Sequence, residues 1–328
     1  VTPSGPGNLH EPLKPETRSL KMDLIQQAGD LGFVAVGFSR PGTPLFFEQF
    51  RDWISEGRHA GMAWMARNLD FREDPSRLLQ ECQTIITLVH PYSSRKPCTP
   101  EGLSAARYSE PRKRDYHDRL RKKATLLATG LRQEYAGTRT RVCVDSAPIL
   151  ERSFAYQSGI GFIGKNTQLI IPGHGSYLFL VEILTTACLC FPEPAPTEDQ
   201  CGSCTRCLDA CPTGALEAPF RLNATKCLSY RTIEQKEKVG RETGKKMGDC
   251  FFGCDVCQEV CPLNKRDEPG EVVLPPIEDI LNMDEETFQE TYGKTAFARA
   301  GIGKIQDNIR AMSCREEVCS VRGDKRQR

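Results

Sequence analysis

The sequence has no hydrophobic run long enough to cross a bilayer. Its longest apolar stretch, Tyr177 to Cys190, is interrupted by Glu182. No membrane association is expected of such a chain. Val1 to Pro15 show no charged start, apolar stretch or small-residue cleavage site, so no secretory signal is expected and a reducing cytoplasm is the expected compartment. Net charge is also scarce: 44 Lys and Arg against 43 Asp and Glu leave +1, which makes no general case for a polyanionic partner. No G-x-G-x-x-G follows a strand pattern. Gly159-Ile-Gly161-Phe-Ile-Gly164 comes instead after a helical stretch, so no NAD or flavin site is expected there. Those glycines suggest a turn where backbone passes close to a large ligand.

Cysteine, by contrast, is abundant, with 16 in 328 residues. Such a count suggests a disulfide scaffold only in a small secreted protein. Two runs matter: Cys201-Gly-Ser-Cys204-Thr-Arg-Cys207-Leu-Asp-Ala-Cys211-Pro212, and Cys254-Asp-Val-Cys257-Gln-Glu-Val-Cys261-Pro262. The first is the full C-x2-C-x2-C-x3-C-P run, whose fourth cysteine serves the other cluster of a two-cluster protein. The second lacks its first cysteine, because Phe251 stands there. Zinc would call for two separate C-x2-C knuckles, so two 4Fe–4S clusters are expected. Crossed wiring puts Cys201, Cys204, Cys207 and Cys261 on one cluster, and Cys211, Cys254 and Cys257 on the other. Two clusters at four thiolates each need eight, and the runs supply seven. Either Cys227 or the out-of-register Cys250 must be the eighth.

The first 190 residues alternate helical and strand patterns. Leu20, Leu24, Ile25, Ala28 and Leu31 share a helical face that Gly32 stops. Phe33 to Phe38, Thr84 to Val89 and Arg141 to Val144 are short β-rich runs, and Asp115 to Tyr135 is a basic amphipathic helix. Gln168 to Ile171 and Tyr177 to Leu184 suggest a hairpin. The expected fold is α/β: a flexible N-terminus (1–17), a layered α/β domain (18–190), a Pro-rich linker, a ferredoxin-like two-cluster domain (198–265) and a helical C-terminal segment (274–322). Clusters only move electrons, so the large α/β domain is expected to house what consumes them.

The blocks Val144-Asp-Ser-Ala-Pro-Ile-Leu-Glu-Arg152 and Gly159-Ile-Gly-Phe-Ile-Gly-Lys-Asn166 resemble the epoxyqueuosine reductase family. So do Gly61-Met-Ala-Trp-Met65, Arg107-Tyr108, Asp115-Tyr-His117, Cys227-Leu-Ser-Tyr-Arg-Thr-Ile-Glu234 and Gly253 to Pro262. The tail, Thr295 to Arg299 and Asn308 to Ala311, extends the likeness, which covers about residues 18 to 312. The resemblance implies an oxidoreductase with a cobalamin between the α/β and cluster domains. It would remove the epoxide oxygen of epoxyqueuosine at a tRNA wobble position, and an external flavodoxin or ferredoxin would supply electrons singly. Asp145 is the implied general acid, with a pKa expected to be raised near an apolar corrin. Its plainer role would be to cap a helix starting at Ser146 or Ala147. Tyr108, Asp145, Ser158, Lys165 and Asn166 are the implied cobalamin contacts, and Cys227, matching the Cys-x-Ser-Tyr block, the implied eighth ligand. His117 and His174 are expected to be solvated, not cobalt ligands.

Two basic stretches are candidates for RNA contact. One is Arg112 to Arg114 with Arg119, Arg121, Lys122 and Lys123; the other is Arg231, Lys236, Lys238, Arg241, Lys245 and Lys246. The second follows Cys227 and is the favoured one. Several positions depart from the family pattern. Two extra residues precede Asp115; Leu263 and Phe162 stand for Trp, and Asp307 for Arg. Cys188, Cys190, Cys314 and Cys319 are extra. These departures leave open a paralogous cobalamin and iron–sulfur reductase, dehalogenase-like, with another substrate. Asp145 in place of a tyrosine acid counts against a dehalogenase. A non-catalytic electron-transfer protein is the further alternative.

Overall fold

The computed structural model describes residues 15–189, 191–264 and 269–313. Most of the expected flexible N-terminus, Cys190, Cys314, Cys319 and the tail beyond residue 313 lie outside the described residues. No helix among those described is long and apolar enough to cross a membrane.

In chain order the α/β part comprises α1 (Pro15–Asp30), β1 (Ala35–Ser39), short helices α2 (Phe47–Ser55), α3 (Ala63–Ala66) and α4 (Leu69–Glu73), then β2 (Thr84–Pro91), β3 (Pro97–Cys98) and β4 (Ser104–Ala105). After these come α5 (Tyr116–Glu134), β5 (Thr140–Cys143), α6 (Glu151–Gln157), β6 (Phe162–Ile163), β7 (Leu169–Ile170) and β8 (Leu178–Thr185). Gly32, at φ +85°, ends α1 as expected, since only glycine enters that region without strain. The main sheet runs β1-β2-β8-β5 and is antiparallel throughout. Alternation along the strands gives it two apolar faces. Ile86, Leu88, Val181 and Ile183 pack under α1 and α5, through Leu24, Ala28, Leu120, Ala124 and Leu127. Ile85 and Leu184 on the other face pack against Phe154 of α6. The expected three short strands and the basic helix are thus present.

The expected hairpin is not. β7 pairs with β6, while β8 lies between β2 and β5; the isolated bridge Ile171 to Gly175 closes only the turn between the two segments. Leu178–Thr185 is long enough to pair over its whole length with β2, and that central place in the sheet outweighs a two-residue edge contact.

The second part contains α7 (Arg206–Asp209), β9 (Leu216–Ala218), β10 (Arg221–Leu222), α8 (Leu228–Ile233), α9 (Arg241–Gly244), β11 (Cys250–Phe252) and α10 (Val256–Glu259). It continues through β12 (Glu271–Val272), α11 (Ile277–Asn282), α12 (Glu285–Tyr292) and α13 (Gly301–Ser313). The repeat seen in the cysteine runs is structural, because each run carries one single-turn helix, α7 or α10. Such loops have little core of their own. Phe251 and Phe252 supply it, packing against Phe288, Tyr292, Phe297, Ile305 and Ile309 of the helical tail. Chain order and space part company at residues 97–105: β4 pairs parallel with β11, and β3 with β12. The α/β part therefore contributes two strands to the sheet of the cluster part.

Candidate active site at the junction of the two parts

Asp145 lies two residues past the end of β5. The helix expected at Ser146 or Ala147 begins only at Glu151, with Leu150 rather than Asp145 at its N-cap. Pro148 explains the delay, because the residue before a proline is pushed out of the helical region. Residues 146–150 form tight turns instead, and Asp145 takes φ +52°. Asp enters this left-handed region at a cost of about 1 kcal/mol, so its surroundings must hold it there. Three bonds do so. The Asp145 amide donates to Glu151 Oε1 at 2.7 Å; the Tyr116 hydroxyl donates to Asp145 Oδ2 at 2.6 Å; and His117 Nε2 lies 3.0 Å from the same oxygen.

His117 is not solvated as expected. Its Nδ1 is 2.6 Å from Asp115 Oδ1, so the ring bridges two carboxylates. Asp115 caps α5 by accepting the His117 amide at 2.8 Å, which holds it in place to do this. Tyr116 is fixed by stacking on Phe179 at 4.4 Å. Burial opposes a charge on His117, but hydrogen bonds to Asp115 and Asp145 outweigh it and lift the imidazole to about 9. Asp145 was expected to titrate high. Burial does push it up, but the hydrogen bonds from His117 and Tyr116 prevail and hold it below the ordinary carboxylate range. At neutral pH the proton therefore rests on His117. The Asp145 side chain is 57% exposed, yet protein surrounds it closely enough for desolvation to be felt. Its carboxylate faces outward beside the junction with the cluster part.

Tyr108 lies between this site and the cluster part. It stands edge-on to Tyr116 at 6.2 Å and packs on Phe252 at 6.1 Å. The other implied cobalamin contacts make hydrogen bonds within the protein. Ser158 is buried, donating to Ala155 O at 2.9 Å. Lys165 Nζ donates to the carbonyls of Gly202 (2.5 Å) and Cys204 (3.0 Å), and Asn166 Nδ2 donates to that of Cys257 (3.1 Å). Adjacent residues of one turn thus grip both cysteine loops. Nor do the nearby glycines face an open ligand space. A Cβ at Gly159 would come 2.9 Å from Ala195 O, and one at Gly161 2.4 Å from Ile170 O. The close approach inferred from the sequence is to the protein's own backbone.

The thiols fall into two sets. Cys201, Cys207 and Cys261 lie near enough to bear on one another's charge, and Cys204 shares their loop. Cys211, Cys227, Cys254 and Cys257 form the other set. No three His, Cys, Asp or Glu side chains among the described residues close around a single ion. Four thiolates on a cubane are set wider than four ligands on one zinc. Cys250 turns away, buried, with its thiol against the carbonyls of Phe252 (3.2 Å) and Gly253 (3.6 Å). The second loop is braced from the α/β part: Asp255 accepts from the Arg107 amide at 2.8 Å and from its guanidinium at 3.2 Å, and the guanidinium also reaches Glu259 at 2.6 Å.

Other resemblance blocks, distant in sequence, meet here too. The Tyr230 hydroxyl accepts the Gly61 amide at 2.9 Å. Arg299 lies 4.9 Å over Trp64 and forks onto both oxygens of Glu234 at 2.8 and 2.9 Å. Sequence reasoning missed the roles of Tyr116, Glu151, Arg107 and Arg299; only the placing of Tyr116 beside His117 hinted at one. Of the favoured basic stretch, Arg231 turns inward to Thr225 O and Thr243 Oγ1, Lys238 pairs with Asp307 at 3.2 Å, and Lys236 is exposed. In the other stretch, Lys113 and Arg119 both pair with Glu110, and Arg114 pairs with Asp118.

Residues 72–146 match the family model described as epoxyqueuosine reductase QueG, DUF1730, and residues 200–264 match the 4Fe-4S double cluster binding domain. An epoxyqueuosine reductase of Leadbetterella byssophila is 31% identical over 303 residues, covering 89% of this chain and 98% of that one. The chain belongs to the epoxyqueuosine reductase family. It is accordingly an oxidoreductase, with the double 4Fe–4S domain expected from the cysteine runs. Two solved epoxyqueuosine reductases share the fold. One, with an epoxyqueuosine-modified tRNA-Tyr stem loop, superposes with TM-score 0.78 at 32% identity, covering 90% of this chain and 81% of that one. The other, from Bacillus subtilis, has its catalytic aspartate loop swung out of the active site. It gives TM-score 0.76 at 31% identity, with the same coverage.

Proposed function

We propose that this protein reduces the epoxide of epoxyqueuosine in tRNA to give queuosine, using a cobalamin supplied with electrons through its two 4Fe–4S clusters. The observation that carries this reading is the exposed Asp145, held in a left-handed turn and backed by a charged His117, beside the junction with the cysteine loops. One relative bound to an epoxyqueuosine-modified stem loop and another with its catalytic aspartate loop swung out of the active site support it.

Removing the epoxide oxygen as water consumes two electrons and two protons. Cobalamin supplies reduced cobalt able to deliver the electrons to the epoxide. Its seat would be the exposed surface over Asp145, with Tyr108 bordering it on the cluster side. The protein's own part is the first of the two protons; the second would be taken up from solvent as the oxygen is released. His117 holds the first at Nε2, 3.0 Å from Asp145 Oδ2, while Asp115 fixes the ring through Nδ1. Excluding water from this surface raises the proton affinity of Asp145, draws the proton across, and leaves Asp145 as the acid facing the departing oxygen. Cys201, Cys204, Cys207 and Cys261 would ligate one cluster, and Cys211, Cys227, Cys254 and Cys257 the other. An external one-electron donor such as flavodoxin or ferredoxin would reload them.

Nucleoside analysis of tRNA from a strain lacking the gene tests the function. Epoxyqueuosine should accumulate and disappear on complementation; an unchanged queuosine level would overturn the assignment. The basic stretch after Cys227 would meet tRNA phosphates through Lys236 and Lys238, with Arg231 bracing the turn beneath them. Replacing both lysines with Glu should raise the apparent KM for tRNA and flatten its salt dependence, with iron content unchanged. An unaltered KM across salt concentrations would remove this surface from the RNA interface.

A further inference from the structure

Glu182, the charge that interrupts the longest apolar stretch, is fully buried in the centre of the main sheet. It projects from β8 on the face covered by α6, in register with Thr87 of β2 and Cys143 of β5. No hydrogen-bond donor reaches either of its oxygens, and the hydroxyl of Thr87 beside it is also buried and without a partner. The group that does approach is another carboxyl, that of Glu151 at the start of α6. Glu151 is the residue whose Oε1 accepts the Asp145 amide at 2.7 Å.

Two ionised carboxylates cannot sit together in such a place; like charges in a low dielectric force one of them to keep a proton. The cations nearby relieve the repulsion only in part. Arg152, on the same helix turn, gives NH1 to Thr167 O at 2.7 Å, and Arg72 of α4 directs its guanidinium at the carbonyls of Met65 and Trp64, both at 3.4 Å. The remaining titratable neighbours are Asp145 itself, which adds to the repulsion, and the buried Cys143 thiol.

We propose that Glu151 and Glu182 share a single proton, and that the pair so formed is the positioning element that holds the Asp145 backbone in its left-handed turn. The shared proton lets Glu151 enter the buried face and still present an oxygen to the Asp145 amide. The main sheet thereby fixes the turn on which the catalytic carboxylate stands. Burial and the neighbouring Asp145 push Glu151 up to about 8, the direction that proton sharing requires.

The positioning role rests on the function proposed above; the shared proton does not. Infrared spectra of the holoprotein at pH 7 should contain the carbonyl stretch of a protonated carboxylic acid, lost in both Glu151→Gln and Glu182→Gln. Absence of that band in the wild type, or its survival in Glu182→Gln, would overturn proton sharing whatever the substrate is. Glu151→Ala should lower kcat on the order of a hundredfold, the scale of a displaced catalytic group, with KM and iron content unchanged. Glu151→Gln, which retains an acceptor, should recover most of that loss. Wild-type kcat in Glu151→Ala would overturn the positioning role. A wild-type protein inactive on epoxyqueuosine-containing tRNA would instead count against the proposed function and leave the infrared result standing.

Discussion

Asp145→Asn should lose turnover by roughly 10²- to 10⁴-fold, the usual contribution of a general acid, while both clusters remain. Asparagine is a clean test because it tolerates positive φ as aspartate does, so the turn at φ +52° survives, and its carbonyl can still accept from Tyr116. What it lacks is a carboxyl able to take the His117 proton and pass it on. Wild-type single-turnover reduction in this variant would rule out Asp145 as the required acid. A pH dependence accompanies the prediction. The folded pKa of His117 is raised above the ordinary histidine value, to about 9. The stability its two ion pairs contribute is therefore complete below its unfolded pKa of about 6.5 and is lost as pH rises through about 9. Single-turnover rates should fall over the same alkaline limb, since the stored proton is lost there. A rate still constant well above pH 9 would place the proton source elsewhere.

The second large effect concerns the eighth thiolate. Cys227→Ser should lose or degrade one cluster, measurable as iron content and low-temperature EPR, whereas Cys250→Ser should keep both clusters. Cys227 stands at the N-cap of α8 among Cys211, Cys254 and Cys257. Cys250 faces backbone carbonyls beneath β11, and a serine hydroxyl there can bond them in the same way. Full iron in Cys227→Ser with loss in Cys250→Ser would transfer the ligand.

Much of the site was legible because its parts are local in sequence. The cysteine runs, one full and one lacking its first cysteine, each lie within about a dozen residues of chain, and their spacing sets how seven of the eight thiolates can surround the clusters. Asp145 and His117 could be picked out by the blocks around them. Their relation could not. His117 looked solvated because nothing in Asp115-Tyr-His117 announces that a strand end 28 residues later brings a second carboxylate to its ring. The raised pKa expected of Asp145 failed for the same reason. Burial acts as expected, but two donors contributed by α5 reverse the outcome. Lys165 and Asn166 are a related case: a Gly-Lys-Asn turn has the composition of a ligand loop, and only docking directs it at the carbonyls of Gly202, Cys204 and Cys257.

Taken by itself, the sequence determined the two-cluster domain, the helical and strand character of most long segments, and the turn at Gly32. Each depends on periodicity, spacing or backbone sterics acting over a few residues. Tertiary structure alone decided that residues 97–105 would join the sheet of the cluster part, that β8 would pair with β2 instead of folding back on β7, and that Glu151 would meet Glu182 behind Asp145. These are pairings between distant segments. They are set by which apolar faces can be buried together and by which polar groups that burial leaves facing each other, and neither property is carried by any one stretch of chain.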